Sequence, residues 1–149
     1  MANDIQIKNR KAGFEYTFLE KFIAGLVLTG TEIKSIRGGK SSIAEAFCVL
    51  DKKGEAWVRN MQIEPYEKGG HYNHEPKRDR KLLLSKNELK KIANRLKDQG
   101  ITLIPLRVFI NDRGFAKMEI ALGKGKKLYD KRESIKKRDT ERDLGRKLK

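Results

Sequence analysis

The 149-residue sequence holds one cysteine, Cys48, three prolines and one tryptophan. A lone cysteine excludes an internal disulfide framework and fits a reducing cytosol. Long apolar runs are missing as well: nowhere do about 18 apolar residues follow one another, and the start MANDIQIKNRKAG lacks the apolar stretch of an export signal. The expectation is a chain that neither spans a membrane nor is secreted. Acidic residues are scarce beside basic ones, 20 against 35, for a formal net charge of +15. Such a surplus does not select a fold but does select partners, because a polyanion gains by releasing counterions when Lys and Arg neutralise its phosphates. That narrows the candidates to nucleic acid and, less favoured without an anchoring segment, an anionic membrane surface.

The length is close to that of one ordinary domain with one core. The polar start up to Gly13 reads as an arm. Phe14 to Leu28 (FEYTFLEKFIAGLVL) is rich in aromatic and branched residues, which suits two strands or one long bent strand with Gly25 as a bend. In GTEIKSIRGG a short helix is expected, capped by Thr31 and stopped by Gly38, with Ile33 and Ile36 inward and Glu32, Lys34 and Arg37 outward. A hairpin turning at Lys53 and Gly54 and ending at Pro65 follows, then a polar loop, YEKGGHYNHEPKRDR, long enough to be functional or disordered. Ser85 and Glu88 form a capping box ahead of Leu89, Ile92, Ala93 and Leu96, and this spacing predicts a helix ending by Gly100. ITLIPLRVFINDRGFAKMEIAL reads as a second hairpin turning through Asn111 to Gly114, with the ordered body ending near Leu122.

The sum is a mainly β chain with added helices: about six strands, one main α-helix and one or two short ones. A small antiparallel OB-like β-barrel fits this count, since closure hides sheet edges. The expected division is a body over 1–123 and a basic tail over 124–149. From Lys124 onward there are 12 Lys and Arg against 5 Asp and Glu, a net of +7. At about 100° per residue, Leu128 and Ile135 point nearly opposite to Leu144 and Leu148, so a tail helix has no single apolar stripe to bury. Two readings stay open: a solvated basic appendage, or a segment disordered alone that becomes helical when phosphates neutralise its charge.

Catalytic chemistry finds little footing. His71 and His74 lie three apart with no Cys nearby, too few ligands for zinc. Gly39, Lys40 and Ser41 resemble the end of a phosphate-binding GxxxxGK[ST] loop, but its first Gly falls at Lys34. Acidic side chains mostly flank Lys or Arg, which depresses a carboxyl pKa rather than raising it to that of a general acid. The expectation is no enzyme, no metal and no cofactor.

Binding features converge on RNA. Basic residues cluster at Asn9 to Lys11, Lys34 to Lys40, Lys77 to Lys81 and Lys124 to Arg132, and Tyr16, Tyr66, Tyr72 and Tyr129 lie in or beside three of these clusters. Tyrosines so placed can stack on bases, although a packing role fits Tyr16 and Tyr66 too. NRKA (Asn9 to Ala12), AGLVLTGTEIKSIRGGK (Ala24 to Lys40), IEPY (Ile63 to Tyr66), PKRDRKLLLSKNEL (Pro76 to Leu89) and GKGKKLYDKR (Gly123 to Arg132) resemble, in order, the successive motifs of the SsrA-binding protein family, SmpB. A generic OB-type single-strand or ribosomal RNA binder explains charge and aromatics equally well, but not this ordered series.

The resemblance implies a cytoplasmic bacterial protein that binds the tRNA-like domain of tmRNA and delivers it to stalled ribosomes for trans-translation. Its tail would occupy the empty decoding centre and mRNA channel against small-subunit rRNA, and the alanyl-tmRNA complex with elongation factor Tu would be a further partner. Carried over by motif, Asn9, Arg10, Gly30, Glu32, Lys34, Arg37, Lys40, Arg78, Arg80, Lys81, Lys124, Lys126 and Lys127 would bind RNA. Tyr129, Asp130, Lys131, Arg132, Ile135, Lys136, Lys137 and Arg138 would face the ribosome. The sequence departs from the family pattern at Gly125, which splits Lys124 from Lys126, and at Ala46 and Phe47; beyond Lys136 the tail matches in charge alone. A monomer is expected, since one core accounts for the strongest apolar patterns.

Overall fold

The computed structural model describes residues 5–126. In chain order the elements are β1 (Gln6–Lys8), α1 (Ala12–Glu15), β2 (Tyr16–Leu26), α2 (Gly30–Arg37), β3 (Ser41–Ser42), β4 (Phe47–Leu50), β5 (Ala56–Arg59), β6 (Gln62–Ile63), a 3₁₀ turn at Gly70–Tyr72, β7 (Arg80–Leu83), α3 (Lys86–Leu96), β8 (Ile101–Ile110) and β9 (Ala116–Gly125). Seven strands make one antiparallel sheet in the order β1-β8-β9-β2-β7-β5-β4, and β3 pairs with β6 separately. The mainly β class with helical additions is as expected, but the barrel is not closed. Strand β4 curls back to within contact distance of β8, yet no ladder joins the two. The expected six strands become nine because β1, β3 and β6 are only two or three residues long, too short for alternation to be visible in the sequence.

Inward residues alternate along the long strands as the pleat requires. Phe22, Ala24 and Leu26 of β2 meet Val108 and Ile110 of β8 and Met118, Ile120 and Leu122 of β9 in one buried cluster, which Ile36 of α2 and Ile92 of α3 also enter. The Ser85 capping box forms as predicted: the Ser85 hydroxyl accepts the Glu88 N–H at 3.1 Å, and the Glu88 carboxylate accepts the Ser85 N–H at 3.0 Å. Cys48 is a buried core residue of β4, and burial pushes its thiol pKa up, which makes it inert.

Several local expectations shift. Of Phe14 to Leu28, the first two residues end α1 and Tyr16–Leu26 forms one eleven-residue strand, whose irregularity lies between Phe18 and Glu20 rather than at Gly25. Gly25 stands opposite Leu83, whose Cβ would lie 3.4 Å from a Cβ at residue 25. The last strand runs past Leu122: Lys124 pairs with Thr17 and Gly125 with Tyr16, and the Lys126 N–H reaches the Glu15 carbonyl at 3.0 Å. Gly123 permits this extension, because a Cβ there would come within 2.6 Å of Ile104 Cδ1.

Candidate nucleic-acid interface

Helix α2 starts two residues earlier than its sequence suggests. Its N-cap is Thr29, not Thr31, and Thr29 forms a second capping box with Glu32. The Thr29 hydroxyl accepts the Glu32 N–H at 3.4 Å, and the Glu32 carboxylate accepts the Thr29 N–H at 2.9 Å. This register turns Glu32, Ser35 and Ile36 into the protein and leaves Lys34 and Arg37 in solvent. The outward placement expected of Glu32 is therefore corrected: its side chain is fully buried.

A buried carboxylate needs partners, and Glu32 has two guanidinium groups. Arg78 grips it with one guanidinium edge, Nε donating to Oε2 at 2.8 Å and Nη2 to Oε1 at 2.7 Å, while Arg80 donates Nε to Oε2 at 2.8 Å. Arg80 is fully buried too, and its remaining donors go to the carbonyls of Met61, Arg78, Glu75 and Pro76 at 2.7–3.2 Å. All five guanidinium N–H groups are thus engaged. Burial alone would raise the Glu32 pKa, but the hydrogen bonds from Arg78, the Thr29 N–H and Arg80 outweigh it and hold the carboxyl below its ordinary value of 4.5. For Arg80, burial lowers the pKa and Glu32 opposes the shift.

The polar loop between β6 and β7 is ordered and rests on α2. The Ser35 hydroxyl donates to the Glu64 carbonyl at 2.7 Å, and Lys34 Nζ sits 5.5 Å from the centre of the Tyr66 ring. Asn73 closes the loop on itself, accepting the Tyr66 N–H at 2.9 Å and donating to the Tyr66 carbonyl at 2.7 Å. His74 spans from the Thr31 hydroxyl to the Ile63 carbonyl, 2.9 Å at each ring nitrogen, so it is a brace, whereas His71 is exposed.

The expected RNA-facing residues fall into groups. Gly30, Lys34, Arg37 and Lys40 are exposed on and just after α2, with half-buried Arg78 beside them through Glu32. Arg37 bridges to the carbonyl of Gly114 at the tip of the β8–β9 hairpin, 3.3 Å away. Arg80 leaves the surface set: the same alternation that buries Leu82 turns its side chain inward, so it supports the interface from beneath. Lys81 points to the other face of β7 and pairs with Glu55 at 3.4 Å. Arg10 and Lys124 are exposed and Lys126 is half-buried, its Nζ donating to the Gly13 carbonyl at 2.7 Å. These belong with the far end of β2 and β9, where Tyr16 pairs with Gly125, while Gly25 pairs with Lys117 near α2. The nine residue steps from Tyr16 to Gly25 span up to about 30 Å of strand. Asn9 pins the end of β1 to β8, its side chain donating to the Pro105 carbonyl at 3.0 Å. Lys127 and the tail residues Tyr129, Asp130, Lys131, Arg132, Ile135, Lys136, Lys137 and Arg138 lie outside the described residues.

Sequence reasoning missed Ser35 as a support and Glu32 with Arg80 as buried partners. The signal was there: Thr29-x-x-Glu32 is the same capping pattern that was legible at Ser85. Among the described residues no three His, Cys, Asp or Glu side chains gather as a metal site would require, and no helix is long and apolar enough to cross a membrane.

Comparison with known proteins bears on what this surface is for. Residues 6–149 match the family model described as SmpB protein. An SsrA-binding protein of Cytophaga hutchinsonii is 58% identical over 146 residues, covering 98% of this chain and 95% of that protein. One from Christiangramia forsetii is 56% identical, covering 98% and 92%. A solved structure described as "tmRNA-SmpB: a journey to the center of the bacterial ribosome" holds a chain 42% identical, with a TM-score of 0.68, covering 82% of this chain and 85% of that one. With nearly the whole chain matched, and the cationic face of α2 seated on a buried ion network, the protein belongs to the SmpB family of SsrA-binding proteins.

Proposed function

We propose that this protein binds the tRNA-like domain of tmRNA and brings it to stalled ribosomes for trans-translation. The observation that carries the reading is the placement of Lys34, Arg37 and Lys40 on an ordered, exposed ridge, in a chain whose relatives are SsrA-binding proteins. Lysines and arginines held in fixed positions neutralise phosphates at defined spacings and so favour a structured RNA over a flexible strand. Gly30 leaves the start of α2 open, since a Cβ there would meet nothing within 4 Å. Arg78, half-exposed on the Glu32 carboxylate, completes this surface, and Lys124, Lys126 and Arg10 form a second contact region at the other end of β2. The protein acts by binding, in the cytoplasm, as a monomer and without a catalytic step of its own. Lys127 continues that second region, and the tail from Tyr129 onward serves the ribosome, its cations meeting small-subunit rRNA phosphates in the decoding centre and mRNA channel.

Two measurements test this. Capture of the protein from a bacterial lysate followed by sequencing of the bound RNA should return tmRNA; recovery of unstructured or ribosomal RNA in its place would favour a generic RNA binder. A chain ending at Arg132 should keep most affinity for the tRNA-like domain and lose tagging of stalled peptides in reconstituted translation. Full tagging by that shortened chain would refute the role given to the tail.

A further inference from the structure

The tip of the β8–β9 hairpin is built with unusual care for a solvent-exposed turn. Asn111 Oδ1 accepts the N–H groups of Arg113 and Phe115 at 3.0 and 2.9 Å. The Asn111 N–H donates to the Phe115 carbonyl at 2.9 Å, and the Gly114 N–H to the Asn111 carbonyl at 2.9 Å. Gly114 takes φ +87°, which a side chain would strain. These bonds fix the backbone on both sides of Phe115, yet its ring is 61% exposed. Most of a large aromatic ring is thus left in water on an ordered turn.

The hairpin tip also does not stand alone. Arg37 Nη2 reaches the Gly114 carbonyl at 3.3 Å, tying the tip to the end of α2 that carries Lys34 and Lys40. Arg113 is exposed beside it, and Asp112 is the acidic residue in the turn. The turn therefore offers an exposed apolar ring, with the Arg37 guanidinium at the adjoining Gly114 carbonyl and exposed Arg113 two residues before the ring. A flat π-face among fixed cations has the chemistry for an unstacked nucleobase whose neighbouring phosphates meet the cations. A lipid surface would ask for several apolar residues side by side, and this turn presents one.

We infer that Phe115, on the hairpin tip that also carries Arg113 and meets Arg37, is a stacking platform for an unpaired base of the bound RNA. The site extends the interface from α2 onto a strand hairpin that contributes no cation cluster in the sequence. It rests on the RNA-binding reading above, and binding by the unaltered protein separates failure of that reading from failure of this one.

The test is affinity for a tRNA-like RNA over a series of salt concentrations, using the full chain and Phe115→Ala, Phe115→Leu, Phe115→Tyr and Arg113→Ala. Loss of the ring in Ala or Leu should weaken binding about tenfold, the lower part of the range for one stacked base, with the salt slope unchanged because no phosphate contact is lost. Tyr should bind like Phe. Arg113→Ala should lower the slope by about one. Thermal melting should be little altered by these changes, since the ring is exposed. If Leu binds as tightly as Phe, stacking is excluded. If loss of the ring changes the salt slope as much as the affinity, Phe115 merely positions the arginines. If affinity for the tRNA-like RNA is untouched but ribosome binding falls, the ring meets the ribosome rather than the bound RNA and the inference is wrong.

Discussion

Helix α2 carries charge on both of its faces, in opposite ways. Inward, Glu32 meets Arg78 and Arg80 in a site with no solvent reaching Glu32 or Arg80. Outward, Lys34, Arg37 and Lys40 stand in water with only a ring face or a backbone carbonyl for company. The buried charges are saturated and so can bind nothing else. The exposed ones are held at fixed places but left electrostatically open, which is what an anionic partner requires. One helix thus separates charge that organises the fold from charge that is available for RNA, and the sign and type of residue alone do not tell the two apart.

The sharpest way to break this contrast is to delete one half of the buried pair. Glu32→Ala leaves Arg80 buried without its counter-charge, and Arg80→Ala leaves Glu32 with Arg78 alone. Either should lower unfolding free energy by about 3–5 kcal/mol in urea denaturation, the usual result of orphaning a buried ion. The double variant should lose less than the sum, because the second deletion removes the orphan. A Glu32→Ala protein as stable as the parent would mean that the inner charges do not hold the loop and β7 together.

Acid should reproduce part of that loss without a mutation. The folded Glu32 carboxyl titrates below its ordinary value of 4.5, so the folded state binds fewer protons there than the unfolded chain. Its stabilisation is complete above the unfolded pKa and disappears as pH falls through the folded one. Urea midpoints measured downward from pH 5 should drop more steeply for the parent than for Glu32→Gln, which has no proton to take up at this position. Parallel pH profiles would assign acid sensitivity to other carboxylates.

How much of this was visible beforehand differs between the two faces. The outward cations, the α3 capping box and both hairpin turns follow from local pattern, because spacing and turn chemistry act over a few residues. Burial of Glu32 was legible from spacing, since it lies four residues before Ile36 and so within about 40° of the same helix face, but a carboxylate there is recognisable as buried only once its two arginine partners, 46 and 48 residues away, are known. Arg80 was hidden differently: Leu82, Leu83 and Leu84 form an unbroken apolar run that conceals the phase of the strand, so the inward position of Leu82, and with it Arg80, emerges only from pairing with β5 and β2. The open edge between β4 and β8 depends on the curvature of the whole sheet, which no short stretch of sequence records.

Arg78 stands between the two classes, with about a third of its side chain exposed, and it measures how gradual the contrast is. Its removal takes away two charge-assisted hydrogen bonds but leaves Glu32 with Arg80 and the Thr29 N–H. Solvent screening further discounts what is lost. Arg78→Ala should therefore lower stability by about 1–2 kcal/mol, less than either buried deletion. It should also weaken RNA binding if its exposed edge faces phosphate. A loss as large as that of Arg80→Ala would show that water does not reach this pair in solution.

The smallest expected change in stability comes from the outward face, and there the effect on binding must carry the argument. Arg37→Ala removes one exposed hydrogen bond to a carbonyl that water can satisfy, and Lys40→Ala removes no side-chain bond found in the structure. Both should unfold within about 0.5 kcal/mol of the parent. Each should nevertheless weaken RNA binding and reduce its dependence on salt by about one phosphate-equivalent, since counterion release scales with the number of cations that meet phosphates. Circular dichroism melts paired with a salt titration of affinity would read both quantities on the same samples. An unchanged salt slope in both variants would remove the ridge from the interface, and a large drop in melting temperature would make Arg37 a structural tie between α2 and the hairpin rather than a binding residue.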